Sequence, residues 1–121
     1  MYDPSHIFNR AEGSFELYLA TDCLLMSLAG ARRKVSKTQV SYCARRAFAW
    51  IWPPVRKVRG RPEKYVVLSF ALGRKLQSAG VEQALEVYPG RWMHHIILSE
   101  ARQLDEELLS WLSEAHSFAS R

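Results

Sequence analysis

No stretch of this 121-residue chain approaches the roughly 18 consecutive apolar residues of a membrane-spanning helix. The N-terminus lacks a charged start followed by an apolar run, which argues against a secretory signal. Cysteine is scarce. Only Cys23 and Cys43 are present, where small secreted domains carry several pairs, so a disulfide framework is not indicated. Cys23 lies in the apolar run Cys23-Leu24-Leu25-Met26 and reads as a small buried hydrophobe; Cys43 reads as a second reduced thiol, despite Arg45 and Arg46 nearby. Catalytic signatures are missing too: no Gly-rich phosphate loop, no nucleophile elbow and no His-Glu-x-x-His. Repeats, low-complexity tracts and linker-like segments are also absent. The expectation is one cytoplasmic domain over residues 1–121, and its 48% hydrophobic content is enough to build a core.

Acidic residues are nearly missing from the middle of the chain. Between Ala31 and Lys75 thirteen basic residues face one acid, Glu63, a net charge of +12. The remainder holds four basic residues and eleven acids, a net −7. Such asymmetry steers an anionic partner to one side of a molecule, unless the charges merely solvate a sheet and its loops.

The hydrophobic pattern changes period twice. Asp3-Pro4 places proline at the first position of a helix, and Asn9 with Glu12 has capping-box spacing. Leu17, Leu24 and Leu28, with Tyr18 and Leu25 beside them, continue a helical stripe that Gly30 closes; Gly13 favours a start after it. Strands then follow over 38–43, 47–52, 65–70, 83–88 and 91–98, with Pro89-Gly90 as a turn and a short basic strand near 32–35 ahead of them. Leu104, Leu108, Trp111 or Leu112, Ala115 and Phe118 mark a last helix, with Asp105, Glu106 and Glu107 in an early turn. The order predicts an α+β fold. A single antiparallel sheet of about five or six strands, arranged as a meander, carries the N-terminal and C-terminal helices on one face and leaves the other open.

The residues that carry chemistry are basic, aromatic or histidine. His94 and His95 are neighbours on a strand and point to opposite faces, so they do not share one metal; neither a metal site nor a cofactor is expected. Arg59-Gly60-Arg61-Pro62 resembles an AT-hook, whose arginines enter the minor groove of A·T-rich DNA, but reads first as a basic turn. Trp50, Trp52, Tyr65, Tyr88 and Trp92 interleave with Lys37, Arg45, Arg46 and Arg91. Sheet faces of this kind stack bases while cations hold phosphates. The alternation over 47–52 leaves open whether Trp50 and Trp52 or the small Ala47 and Ala49 face the helices.

The runs Lys37-Thr38-Gln39-Val40-Ser41, Phe48-Ala49-Trp50, Val67-Leu68-Ser69-Phe70 and Pro89-Gly90-Arg91-Trp92-Met93-His94-His95, then Leu104-Asp105, Trp111-Leu112 and Ala115, resemble a bacterial family. That family is domain of unknown function 5655, and the Gly-Arg-Trp-x-His-His run is the most specific part of the likeness. The resemblance implies a stand-alone α+β domain and brings no established activity, cofactor or catalytic residue. The transport label loosely attached to the family finds no support in a chain without a membrane span. The helix–sheet–helix order is also similar to frataxin-like folds, though the basic sheet departs from their acidic surfaces.

The expected function is therefore a non-catalytic binding domain whose basic, aromatic sheet face holds nucleic acid, a phosphorylated ligand or an acidic protein, with no membrane involved. Lys37, Arg91, Trp92 and His94 form its expected centre, with Trp50 facing outward and Arg59 and Arg61 as a flexible rim. One alternative is an enzyme or small-ligand protein using His94 or His95 at the sheet edge, with a carboxylate such as Glu86 as partner. Another is self-association through a sheet edge or the tryptophans.

Overall fold

The computed structural model describes residues 4–8, 14–53 and 64–121. A short helix α1 (Pro4–Phe8) opens the fold with its proline at the first position, where the missing N–H costs nothing. Helix α2 (Ser14–Met26) starts directly after Gly13 and buries Ser14, Tyr18, Thr21 and Leu25, one stripe at helical spacing; Cys23, expected to be buried, falls off that stripe and is exposed. Six strands follow: β1 (Arg32–Val35), β2 (Val40–Cys43), β3 (Ala47–Trp52), β4 (Val66–Leu72), β5 (Gln83–Tyr88) and β6 (Arg91–Leu98). A 3-10 turn (Ala101–Gln103) leads to helix α3 (Glu106–Ala119), which buries Leu108, Leu112, Ala115 and Ala119. Asp105 caps α3 by accepting the Leu108 N–H at 2.9 Å, and Glu106 and Glu107 occupy its first turn, where the helix dipole favours negative charge.

All strand pairs are antiparallel, and the strand order is β1-β2-β3-β4-β6-β5. This corrects the expected meander, because β6 lies between β4 and β5. The reason is burial. Strand β6 buries His94, Ile96 and Leu98 and keeps Met93, His95 and Ile97 half-covered on its other side, which suits an interior position. Strand β5, Gln-Ala-Leu-Glu-Val-Tyr, is exposed along almost its whole length and takes the edge. Between them Pro89-Gly90 closes a two-residue turn, with Gly90 at φ +78°, a conformation glycine adopts without a Cβ clash.

The register sorts the side chains by face. Tyr42, Ala49, Phe70 and His94 form one row across β2, β3, β4 and β6, and Val40, Ile51, Leu68 and Ile96 form the next. These rows are buried beneath the helices: the Phe70 ring stacks with Trp111 of α3, and the Tyr42 hydroxyl donates to Asp22 of α2 at 2.6 Å. Both long helices therefore cover one face. A bulge where Cys43 pairs with Ala47 breaks the alternation in β3, so that Phe48 and Ala49 are both fully buried and Phe48 packs edge-on against His116 of α3. Beyond the bulge the alternation resumes, with Ile51 buried and Trp50 and Trp52 on the opposite side.

Asp22 ties α2 to the sheet. It accepts from Tyr42, from Tyr18 at 3.4 Å, and from Arg33 at 3.0 and 2.9 Å. Burial, followed by the hydrogen bond to the Asp22 carboxylate, pushes the Tyr42 phenol far above its ordinary range. Asp22→Ala leaves a buried hydroxyl and a guanidinium without their acceptor. The expected cost is about 1–3 kcal/mol, read as a lower urea midpoint with an unchanged slope.

Candidate functional site

Opposite the helices, one row of side chains crosses the entire sheet. Lys34 on β1 pairs in register with Ser41 on β2, then Trp50, Ser69, His95 and Gln83 follow on β3, β4, β6 and β5. By the same register Arg32, Cys43, Ala71, Met93 and Leu85 share this face on one side of the row, and Val67 and Ile97 on the other. Among the described residues no helix covers it. The result is an aromatic and apolar middle with cations at its margins: exposed Arg32 and Lys34 on one edge strand and Arg91 at the start of β6.

Small residues on β4 give the face its relief. Ser69 and Ala71, on an interior strand between β3 and β6, are each only 2% exposed although no described helix lies over them. Trp50 stands beside Ser69 on one flank and His95 on the other. Ser69 Oγ lies 2.7 Å from His95 Nδ1, which fixes the imidazole plane. A serine so thoroughly shielded is poorly placed to act as a nucleophile, and the pairing reads as one that orients the ring. Glu86, the carboxylate expected to partner a histidine, pairs in register with Trp92 and accepts the Gly90 N–H at 3.3 Å.

The expected centre is not brought together. His94 is the inward member of its pair and is completely buried, and this moves it off the open face. Its Nε2 accepts the Leu76 N–H at 3.0 Å, pinning the segment that crosses from β4 to β5 over the helix-side face of β6. The ring stacks on Phe70 with centroids 5.2 Å apart. Burial holds the His94 pKa below the ordinary histidine value, against a smaller opposing effect of the Phe70 backbone. Trp92 shares the helix-side face with His94 and lies under Lys75, 5.7 Å from its ring centroid, so it too leaves the open face. Lys37 is exposed in the β1–β2 turn, whereas Arg91 lies at the far end of the strands. Arg59 and Arg61, with the AT-hook-like run, lie outside the described residues.

Trp50 and Arg91 do lie on the open face. Arg91 donates to the Tyr88 hydroxyl at 3.0 Å with its guanidinium 5.5 Å from the Tyr88 ring centroid, and its buried Nε has no hydrogen-bond acceptor among the described residues. The bond from Arg91 pulls the Tyr88 phenol below its ordinary pKa, with Arg46 adding to the field. Lys34 and Arg32 were missed by sequence reasoning, and His95 was named only for the enzyme or small-ligand alternative. Strand alternation placed one histidine outward but carried no signal as to which, and β1 was too short to phase.

Among the described residues no group of three or more histidine, cysteine or carboxylate side chains could hold a metal ion, and no helix is long and apolar enough to cross a membrane. No curated protein and no solved structure matches the chain significantly. Residues 5–119 match the model of the family described as Domain of unknown function (DUF5655), and the chain belongs to that family.

Proposed function

We propose that the chain is a non-catalytic binding domain of the bacterial cytoplasm that holds an anionic polymer, single-stranded nucleic acid first, against its uncovered sheet face. The observation that carries this reading is the row Lys34-Ser41-Trp50-Ser69-His95-Gln83, with Arg32 and Arg91 on the same face. A base stacks on Trp50 while the marginal cations meet phosphates, and the hydroxyls and amide of the row supply hydrogen bonds. The two free cysteines fit a reducing compartment.

The test is fluorescence anisotropy with labelled single-stranded and duplex oligonucleotides at two salt concentrations. The reading expects single strands to bind more tightly and affinity to fall steeply with salt, with a slope that loses about 0.7 for each phosphate contact removed. Trp50→Ala should weaken single-strand binding by about 1–3 kcal/mol with little change in that slope. Absence of binding at low salt counts against the whole reading.

Self-association has its own supporting observation. Edge strand β5 exposes Leu85, Val87 and Tyr88, at 47%, 50% and 50%, and among the described residues β6 is its only strand partner. The other edge, Arg-Arg-Lys-Val, is guarded by charge. This reading expects a molecular mass that rises with concentration in light scattering and falls to the monomer value in Val87→Lys. A constant monomer mass removes it.

A further inference from the structure

At the end of the sheet away from the β1–β2 turn, segments distant in sequence meet around the Phe118 ring. The guanidinium of Arg46, from the β2–β3 turn, lies 5.7 Å from the ring centroid and donates to the Phe118 carbonyl at 3.1 Å. The backbone N–H of Arg46 donates to the Ala119 carbonyl at 3.1 Å, so this arginine also closes the C-terminal end of α3. Arg121 lies over the same ring at 5.7 Å. Beside the ring is a cleft of about 270 Å³ lined by Gly73, Arg74, Glu114, Ser117, Phe118 and Arg121. Gly73 lets the ring close against the backbone, since a Cβ there would lie 3.1 Å from Phe118.

We propose that this cleft is a binding site for a phosphate monoester. The inference rests on the anionic-partner reading above and adds to it a defined pocket for a terminal phosphate. The volume is below the roughly 300–1,000 Å³ typical of small-molecule sites, which leaves room for a phosphate and little of what it is attached to. Arg74 gives its Nε and Nη2 to Glu114 at 2.9 and 2.8 Å, which fixes the guanidinium and leaves three N–H hydrogens, two on Nη1 and one on Nη2, for another acceptor. The Ser117 hydroxyl and the Arg121 guanidinium supply further donors at the rim. Arg74 holds the Glu114 carboxyl below its ordinary pKa, so Glu114 remains a fixed negative charge. Arg46, Arg74 and Arg121 outweigh it, and a dianionic monoester gains more from that surplus than the single charge of an internal diester.

The shared chemistry has two sources, the phosphorylated end of a nucleic-acid strand and a free phosphate compound. One labelled single-stranded oligonucleotide is compared with a 5′-phosphate and with a 5′-hydroxyl, and amide shifts of Gly73 and Ser117 are followed with inorganic phosphate and with the phosphorylated strand. The 5′-phosphate is expected to tighten binding about fivefold; this advantage should vanish in Arg121→Ala and Ser117→Ala and persist in Arg102→Ala. Shifts with inorganic phosphate as well as with the strand assign the cleft to free phosphate; shifts with the strand alone assign it to strand ends. Equal binding of the two oligonucleotides without shifts at Gly73 and Ser117 overturns the cleft and leaves the sheet-face reading intact. Shifts with inorganic phosphate and no oligonucleotide binding sustain the cleft and overturn the face.

Discussion

His94→Ala is expected to be among the most damaging single substitutions, costing about 3–5 kcal/mol and pulling the urea midpoint down accordingly. The imidazole is fully buried between Phe70 and the crossover segment, so its removal opens a cavity in the core. It also leaves the buried Leu76 N–H without an acceptor. The same bond makes the site acid-sensitive. Nε2 accepts from Leu76 only while it carries no proton, and protonation would set two N–H groups against each other. Burial therefore keeps the folded-state pKa below the ordinary 6.5. Above about pH 6.5 the ring is neutral in both states and its contribution is complete. As pH falls, the unfolded chain takes up the proton first, and stability declines until the lowered folded pKa is passed. Arg74 and His95 oppose the charged ring, and Glu114 is the acid that senses it. His94→Asn retains an amide oxygen that can accept the Leu76 N–H and removes the titration. The expected result is a loss of stability from pH 7.5 to 5.5 that is larger in the wild-type chain than in His94→Asn. Equal losses would contradict the pinning role.

The second large effect concerns charge. Arg91→Glu should weaken single-stranded oligonucleotide binding about tenfold at low salt and lower the salt slope by at least 0.7, because it removes one phosphate contact and adds a repulsion. Arg91 is the cation of the open face at its β6 margin, and its Nε is shielded without an acceptor among the described residues. Arg102→Glu, at an exposed arginine paired with Glu100, serves as the control with the same charge change and is expected to alter binding much less. Similar losses in both variants would show that only net charge matters.

Much of the architecture was legible in local pattern. The bounds of β3, β5 and β6 coincide with their alternating runs, and Gly90 adopts positive φ at the expected turn; Gly30, expected to close α2, also has positive φ, but the helix ends four residues earlier at Met26. Asp105 and the two glutamates after it announced α3. Strand order was harder to read, since the pairing of β4 with β6 across the eighteen residues 73–90 leaves no periodic trace. The signal that could have found it is the two-sided apolar character of β6, Met93, Ile96, Ile97 and Leu98, which suits an interior strand, whereas β5 with Leu85, Val87 and Tyr88 carries no polar pattern to mark it as an edge. Phe48 turned inward because a bulge adds one residue to β3, and a one-residue slip reverses every side chain before it. The same limit decided the site. Alternation put His94 and His95 on opposite faces; His94 is the one in phase with buried Ile96 and Leu98, and its acceptor role there, to the Leu76 N–H of a segment with no regular structure, leaves no trace in the local pattern. Arg91 and Trp92 were separated by the same alternation, one to the open face and one beneath Lys75.

The most direct test of the central claim is a map of amide shifts in the labelled protein as a short single-stranded oligonucleotide is added. The account predicts that the largest changes fall on Lys34, Ser41, Trp50, Ser69, His95 and Arg91, with the Trp50 indole among them, while α2 and the buried face of α3 stay still. Changes concentrated on the helices, or none at low salt, would contradict it.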